Sequence, residues 1–266
     1  MAAHTIITLT TDFGLDDICV GVMKGVILSI NPACTIVDIT HGVEPYDIAA
    51  GALALESACQ YFPQGAIHVA IVDPGVGCGR RPLVLVTDKG LFVGPDNGIF
   101  SFVLSGPGLK AVYELTAKDY FLPKPSATFH GRDIFAPAAA HLSKGVQPEQ
   151  LGRKIDDPII LPSAIPEISG DILEASIIHI DHFGNLITNV SRDMLQGFFR
   201  ESVIQAEVKG STMTKLMPSY AAAQKGELFC IIGSSGRLEI SLKNSSAAER
   251  LGASRGDSIV LKKVEL

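Results

Sequence analysis

Basic charge is scarce in this 266-residue sequence. Lysine and arginine together number 22 against 28 aspartates and glutamates, which gives a net charge of −6 and a pI of about 5.6. Nucleic acids and anionic membrane surfaces are bound by basic faces. We therefore expect no nucleic-acid partner and no membrane partner.

Paired cysteines, long apolar runs and metal-binding spacings are also missing. The five cysteines are scattered, odd in number and without CxxC spacing, so we expect reduced thiols and a cytoplasmic location. No apolar run approaches the length of a membrane span, and Met1 to His4 do not begin a signal peptide, so none is expected. The histidines show neither HxH nor HExxH spacing, so we expect no metal site.

The first part of the chain alternates between strand and helix patterns. β-Branched or apolar runs predict strands at 5–10, 34–39 and 66–71, and apolar residues at helical spacing predict helices at 18–30 and 47–62. Asp16 and Asp47 are the expected N-caps of these helices. This β-α-β-α-β order predicts an α/β domain over residues 1–157, with a mostly parallel sheet flanked by helices.

The rest of the first domain is less regular. Residues 82–87 and 90–93 are typical of a hairpin that turns at Asp88, and a further strand is predicted at 111–115. A helix is predicted over 134–142 with Asp133 at its start, although Pro137 lies unusually deep in that segment.

The composition changes after residue 157. Asp-Pro, Leu-Pro and Ile-Pro dipeptides crowd into residues 158–171, which predicts a linker. Beyond it, short strands alternate with turn residues, which favours a small all-β, barrel-like C-terminal domain over 172–266. Its strands are predicted at 172–180, 186–190, 203–208, 228–232, 238–242 and 258–264.

The loop after the strand at 66–71 is the first candidate site. Asp73 follows the strand, a glycine-rich turn comes next, and Arg80 and Arg81 close the loop. Ligands of open α/β sheets bind outside the carboxyl ends of the strands. The glycine spacing matches neither a dinucleotide fingerprint nor a Walker loop, so the turn is expected to serve close backbone approach. A plain salt bridge between Asp73 and Arg80 explains these residues equally well.

Three further places carry polar residues with two interpretations each. Asp12, at the end of the first strand, could bind a ribose diol or form an Asx-turn or helix cap. His130 could act as a base or an orienting group, or be a satisfied core histidine. In the loop at 180–185, Asp181 could pair with an ammonium and Asn185 with a purine edge, or the loop could be a simple turn.

Taken together, seven motifs in this order resemble the S-adenosylmethionine (SAM) hydroxide adenosyltransferase family, the adenosine-forming SAM hydrolases related to fluorinase and chlorinase. The resemblance covers nearly the whole chain. Its motifs are Thr11-Asp12-Phe13-Gly14, Val37-Asp38-Ile39-Thr40-His41, Pro45-Tyr46-Asp47-Ile48, Val72-Asp73-Pro74-Gly75-Val76-Gly77, Gly94-Pro95-Asp96-Asn97-Gly98, Phe129-His130-Gly131-Arg132-Asp133 and Ile180-Asp181-His182-Phe183-Gly184-Asn185.

The resemblance implies hydrolysis of SAM to adenosine and methionine without metal or cofactor, by a homotrimer whose sites lie at subunit interfaces. It assigns water binding and activation to Asp73, Arg80 and His130. It assigns substrate binding to six residues: the ribose hydroxyls to Asp12, the methionine ammonium and carboxylate end to Asp181 and Ser234, adenine to Asn185, and packing around ribose and base to Tyr46 and Phe129.

The alternatives are a halide-dependent SAM lyase and a SAM- or adenosine-binding sensor with negligible turnover. The halogenases carry a tyrosine where Asp73 stands, a serine near His130 and an extra loop, so the resemblance favours the hydrolase. Fluorinase also pairs its carboxylate-site serine with an arginine, whereas Ser235 follows Ser234 here. The carboxylate would then be held by backbone N–H groups or by a side chain such as Arg237.

Overall fold

A computed structural model describes residues 5–161, 165–199 and 203–264. The chain forms two compact units, an N-terminal unit of residues 1–161 and a C-terminal unit of residues 162–266. Across the described ranges, none of the helices has both the length and the apolar character needed to cross a lipid bilayer.

The N-terminal unit is built on a seven-stranded sheet within the described residues. Its order is β2-β1-β3-β5-β4-β6-β7. The strands are β1 (Ile6–Thr11), β2 (Thr35–Thr40), β3 (Ala66–Ile71), β4 (Pro82–Thr87), β5 (Gly90–Pro95), β6 (Leu109–Leu115) and β7 (Gly152–Ile155).

This sheet is mixed, so the expectation of a mostly parallel sheet is not confirmed. The pairs β1–β2, β1–β3 and β3–β5 are parallel, whereas β4–β5, β4–β6 and β6–β7 are antiparallel. The predicted hairpin at Asp88 is the physical reason, because a tight turn reverses the chain and places β4 antiparallel beside β5. The parallel half, β2-β1-β3-β5, presents all its carboxyl ends at one edge.

Helices pack on both faces of the sheet. α1 (Cys19–Ile30) contributes Met23 and Ile27 to one buried cluster. α2 (Ile48–Cys59) contributes Leu55 to another, together with residues around the short α3 (Ser101–Ser105). Asp47 caps α2 as predicted, because its side chain accepts a hydrogen bond from Ala50 N at 2.8 Å.

The predicted cap of α1 is wrong. The helix begins at Cys19, with Ile18 in the N-cap position and no side-chain cap bond. Asp17, rather than Asp16, bonds at this end by accepting from Ile18 N at 2.6 Å.

The predicted helix at 134–142 has a different beginning. One turn of π-helix (Gly131–Phe135) precedes α4 (Ala136–Ser143), so Pro137 lies in the first α-helical turn, where a missing N–H is tolerated. Asp133 does not cap this helix. Its carboxylate instead accepts hydrogen bonds from Arg132 Nε at 2.6 Å and Ser126 N at 2.7 Å.

The C-terminal unit is one curled, half-barrel sheet of nine strands in the described part of the chain, almost entirely antiparallel. Its strands are β8 (Glu167–Ser169), β9 (Ile172–Ile180), β10 (Leu186–Ser191), β11 (Val203–Val208), β12 (Ser211–Met213), β13 (Leu216–Met217), β14 (Leu228–Ile232), β15 (Arg237–Leu242) and β16 (Ser258–Val264).

Three strands, β8, β12 and β13, and two helices of this unit were not predicted from the sequence. β8 lies inside the segment predicted as a linker at 158–171 and pairs with β9, while residues 162–164 of that segment lie outside the described residues. Two unpredicted helices, α5 (Arg192–Phe199) and α6 (Ala247–Leu251), join the core. α5 buries Leu195, Phe198 and Phe199, which lie on one helical face.

Candidate active site

Asp73, Arg80 and His130 meet beyond the carboxyl end of β3. Arg80 Nε donates to both Asp73 carboxylate oxygens, at 3.0 and 2.9 Å, and Arg80 Nη2 also contacts Asp73 Oδ2. The same Nη2 donates to His130 Nδ1 at 2.9 Å. The Asp73 and Arg80 side chains are only 6% and 9% exposed. The Asp73–Arg80 salt bridge, expected as the alternative to a functional site, is present, and Arg80 also bonds His130.

One nitrogen of the Arg80 guanidinium is left over. Its Nη1 is buried and has no hydrogen-bond partner among the described residues. A guanidinium only donates, and an unsatisfied buried donor is costly. Phe135 lies under the guanidinium, with its ring centroid 5.0 Å from Arg80 Cζ. The unpaired Nη1 is therefore suited to bind an acceptor atom that is small enough to enter this corner.

The arginine bond determines which nitrogen of His130 carries the proton. Because Arg80 cannot accept, His130 Nδ1 must accept, and a neutral ring then carries its hydrogen on Nε2. Burial lowers the pKa of His130, and the positive charge of Arg80 lowers it further. The negative charges of Asp73 and Asp133 raise it by a smaller amount. His130 is thus held as a neutral ring whose Nδ1 is occupied by Arg80, whereas Asp73 Oδ1 accepts from Arg80 Nε and keeps lone-pair capacity for a proton.

Close backbone approach joins the Asp73–Arg80 loop to the His130 segment. Gly77 has a φ of +78°, and a Cβ at this position would lie 2.4 Å from the carbonyl oxygen of Ala127. Only glycine combines this conformation with this contact. Ser126 and Asp133 hold the same segment from its other side through their 2.7 Å hydrogen bond.

The neighbouring Arg81 has a different role from Arg80. It donates to Asp96 Oδ2 at 2.8 Å and to the side chain and carbonyl of Asp157 at 2.7 Å each. Asp96 in turn accepts from Ile159 N at 2.8 Å. Arg81 therefore fixes the segment that follows β7 and takes no part in the Asp73–His130 cluster.

Asp12 lies at the same edge of the sheet, just beyond the end of β1. In the register of β1 and β3, Thr11 is opposite Ile71, so Asp12 and Asp73 follow adjacent strand ends. Asp12 Oδ2 accepts from Tyr46 N at 2.9 Å, and Asp12 is not a helix cap, because α1 begins seven residues later. Within the described ranges, no hydrogen bond to Asp12 Oδ1 is found.

Aromatic residues adjoin Asp12. Tyr46 is 73% exposed and has a φ of +70°, which is strained for a tyrosine, and such strain is concentrated at functional sites. Phe13 and Phe129 pack edge to face with ring centroids 5.8 Å apart. The N-terminal unit thus brings together Asp12, Tyr46, Phe129 and the Asp73–Arg80–His130 cluster along one edge.

The C-terminal unit brings Asp181 and Asn185 together. Asp181 Oδ1 accepts from the backbone N–H groups of Phe183 at 2.9 Å and Asn185 at 2.8 Å, and its Oδ2 accepts from Asn185 Nδ2 at 2.8 Å. This loop is a turn organised by Asp181, which also leaves Phe183 exposed. Asn185 keeps its carbonyl oxygen and one amide hydrogen for a ligand edge.

Ser234 lies in the tight turn at 233–236, where Gly236 N donates to the Gly233 carbonyl at 3.0 Å. Ser234 is exposed, and the adjacent Ser235 Oγ is buried without a hydrogen-bond partner among the described residues. Arg237 follows in β15 and is engaged in an interaction of its own.

A tyrosine–glutamate pair in this unit was not predicted. Tyr220 Oη donates to Glu239 Oε2 at 2.6 Å, and Glu239 is only 5% exposed. Burial and the Glu239 carboxylate raise the pKa of Tyr220, and burial and the Asp181 charge raise the pKa of Glu239. Strand alternation predicts Glu239 on the solvent face because Leu238 and Ile240 are apolar, so no sequence signal marks this pair.

Within the described ranges there is no cluster of three or more histidine, cysteine, aspartate or glutamate side chains that could hold a metal ion.

Comparisons with known proteins agree over most of the chain. The model of the SAM hydroxide adenosyltransferase N-terminal domain matches residues 7–152, and that of the C-terminal domain matches residues 175–260. A relative from Salinispora tropica named (R)-S-adenosyl-L-methionine hydrolase is 35% identical, with 97% of this chain and 98% of the relative covered. A relative of the same name from Methanocaldococcus jannaschii is 36% identical, with 96% and 94% covered.

More distant and structural relatives fit the same picture. A fluorinase from Actinoplanes sp. is 29% identical, with 89% of this chain and 90% of the relative covered. The crystal structure of an uncharacterized conserved protein from Thermotoga maritima superposes with a TM-score of 0.84 at 34% identity, over 97% of this chain and 99% of that one. On the match of both domains, this chain belongs to the SAM hydroxide adenosyltransferase family.

Proposed function

We propose that this protein hydrolyses S-adenosyl-L-methionine to adenosine and L-methionine by attack of water or hydroxide on C5′. Relatives named SAM hydrolases, at 34–36% identity over most of the chain, support this reaction. The observation that carries it is the unpaired Arg80 Nη1, buried beside Asp73 and His130, because this donor is suited to hold the oxygen of a water molecule next to a carboxylate that can take its proton.

The residues of the cluster match the chemistry. The oxygen of a water molecule accepts from Arg80 Nη1, and Asp73 Oδ1 takes a proton from it. The oxygen then forms a bond to C5′ while the C5′–S bond breaks and its electron pair moves to sulfur. The leaving group is a neutral thioether, so it needs no general acid. Arg80 stabilises the developing hydroxide, and His130, held neutral, orients the guanidinium.

Exclusion of bulk water adds to the rate. An anionic nucleophile and a cationic sulfonium neutralise each other in the transition state, so a poorly solvated pocket favours their reaction. The Asp73 and Arg80 side chains are more than nine-tenths buried, which provides such surroundings. Because the thioether leaves unassisted, we propose that no metal or cofactor takes part.

Substrate binding is assigned by the same proposal. Asp12 binds the ribose hydroxyls through its free Oδ1, with Tyr46 and Phe129 packing around ribose and base. In the C-terminal unit, Asn185 binds adenine, while Asp181 and Ser234 bind the ammonium and carboxylate end of methionine. The exposed Tyr46 and Phe183 support an aromatic contact with a ligand, since neither ring is needed for the buried core.

The test compares two adjacent arginines. Arg80→Gln should lower kcat for adenosine release by about 10²- to 10³-fold with KM changed little, because it removes a donor to the developing hydroxide. Arg81→Gln is the matched control and should retain kcat, although it should lower the melting temperature. Adenosine is measured by chromatography and SAM affinity by calorimetry. Near-normal turnover of Arg80→Gln would contradict the proposal.

The same assay separates the alternatives. Repeating it with fluoride or chloride tests for 5′-halo-5′-deoxyadenosine, whose formation would indicate a halide-dependent lyase. SAM binding without any adenosine release by the assembled protein would indicate a sensor. A halide lyase gains some support from the fluorinase relative at 29% identity, but Asp73 fits water activation better, since a halide has no proton to remove.

The proposal includes assembly as a homotrimer and a cytoplasmic location. Analytical ultracentrifugation measures the assembly state directly. All five cysteines are free, and a reducing compartment maintains that state.

A further inference from the structure

A buried histidine lies beside the proposed ribose site without belonging to it. His41 follows β2, is 4% exposed and faces the end of β1. Its Nδ1 is 2.8 Å from Thr11 Oγ1, and its Nε2 lies 3.1 Å from Asp38 Oδ1. Asp38 Oδ2 in turn accepts from Lys24 Nζ at 2.6 Å, so the network continues to α1.

The contacts of this network have one consistent direction. His41 Nε2 has no hydrogen-bond partner among the described residues, although it lies 3.1 Å from Asp38 Oδ1. The nearby carboxylate favours a hydrogen on Nε2 electrostatically, which makes Nδ1 the acceptor of the Thr11 hydroxyl hydrogen. The same hydroxyl oxygen accepts from Phe13 N at 3.2 Å. His41 also accepts through its backbone carbonyl, from Gly14 N at 2.8 Å.

These bonds enclose Asp12 on both sides along the chain. Thr11, before it, is held by the imidazole, while Phe13 and Gly14, after it, are held by the Thr11 hydroxyl and the His41 carbonyl. The backbone of Asp12 therefore has little freedom, and its carboxylate is directed by a network that does not itself include Asp12. The side chains of Thr11 and His41 are buried and contact each other, so in this network they act on a ligand only through Asp12.

We propose that His41 is a positioning residue, which acts through Thr11 to hold the Asp12 carboxylate where it binds a vicinal ribose diol. The inference rests on the proposed function, because it presumes that Asp12 binds the substrate ribose. It concerns binding and not chemistry, since the Asp73–Arg80–His130 cluster lies on a different loop. Loss of the network should therefore raise KM and leave kcat nearly unchanged.

The strand β1 contains its own control. Thr8, like Thr11, is fully buried, and its Oγ1 lies 2.8 Å from the Nδ1 of a buried histidine, His68. Thr8 is four residues from Asp12 and bonds within the sheet. Thr8→Val and Thr11→Val are therefore changes of similar shape that each remove a threonine–histidine hydrogen bond from the same strand. Thr11→Val also removes the bond from Phe13 N, which belongs to the network around Asp12.

The experiment measures SAM turnover and adenosine affinity for the wild-type protein and these variants. Thr11→Val should raise KM for SAM and Kd for adenosine about tenfold, as expected for one misplaced charged hydrogen bond, with kcat within about twofold. Thr11→Ser should restore the wild-type values. Thr8→Val should lower the melting temperature and leave both constants unchanged. His41→Leu should raise KM as Thr11→Val does. The KM of the double variant should be no higher than that of the more impaired single variant, because both changes disrupt the same network.

A ligand without the diol localises the effect. Wild type and Thr11→Val should bind 2′,3′-dideoxyadenosine with equal affinity, because Asp12 has no hydroxyl to bind. Unchanged KM in Thr11→Val, additive effects in the double variant, or an equal loss of dideoxyadenosine binding would overturn the inference alone. If the wild type neither binds adenosine nor releases it from SAM, the proposed function and this inference both fail.

Discussion

Acidification should destabilise the N-terminal unit through one buried histidine, His68 in β3. The ring is 4% exposed, its Nδ1 lies 2.8 Å from Thr8 Oγ1, and it stacks against Phe92 with ring centroids 4.9 Å apart. Burial lowers the pKa of His68 from 6.5 to about 4. The folded protein therefore keeps this ring neutral at pH values where the unfolded chain binds a proton.

The sign and size of the effect follow from this difference in pKa. A depressed folded-state pKa contributes stability that is present above pH 6.5 and is lost as the pH falls towards 4. At about 1.36 kcal/mol per pH unit, the free energy of unfolding should fall by about 2 kcal/mol between pH 7 and pH 5. By pH 4 the loss should reach about 3 kcal/mol, where the folded ring also begins to bind a proton.

Chemical denaturation of wild type and His68→Gln from pH 7 to pH 4 measures this loss. Glutamine keeps a polar group for Thr8 but does not titrate, and the carboxylates common to both proteins cancel in the difference. The stability gap between the two proteins at pH 7 should therefore narrow by about 2 kcal/mol at pH 5. Parallel pH profiles, or an NMR titration of His68 with a midpoint near 6.5, would refute the reasoning.

Two further predictions concern the loops and the C-terminal unit. Gly77→Ala should lower both kcat and the melting temperature, because the left-handed φ and the Ala127 carbonyl leave no room for a Cβ. The free energy of unfolding should fall by about 1–3 kcal/mol. A wild-type kcat in this variant would show that this contact does not hold Arg80 near His130. The free energy of unfolding of Glu239→Gln, relative to that of wild type, should be higher at pH 8 than at pH 5. The pKa of Glu239 is raised in the folded protein, so wild type loses stability as this carboxyl ionises, whereas glutamine does not titrate. Denaturation of both proteins at both pH values checks this, and an equal difference at the two pH values would mean that the pKa of Glu239 is not raised.

Local sequence patterns predict many of the strands and helices of the N-terminal unit. The alternation of apolar runs and amphipathic segments marks β1, α1, β2, α2 and β3, because each element buries one face through residues close in sequence. Asp47 is recognisable as a cap for the same local reason. The helix α6 was not predicted because its five residues leave little periodic signal, whereas α5 was missed although Leu195, Phe198 and Phe199 recur at helical spacing.

Where a residue's role depends on contacts with residues distant in sequence, the sequence offers alternative roles and does not choose between them. Arg80 and Arg81 are adjacent and chemically identical, yet one bonds Asp73 and His130 while the other bonds Asp96 and Asp157. The sequence favoured Arg80 only through family resemblance. The sequence places His41 only in a motif of the family resemblance, because nothing local marks its bond to Thr11, which belongs to a neighbouring strand.

By itself, the sequence determined the family, the two-part order of elements and the positions of acids and glycines after strands, since these depend on local burial and chain reversal. Only the tertiary structure decided that the first sheet is mixed, that Arg80 retains an unpaired donor, and that His41 encloses Asp12 through Thr11. The hydrogen bonds Thr11–His41 and Arg80–His130 join residues 30 and 50 positions apart. Their energies depend on distance in space, which no local pattern records.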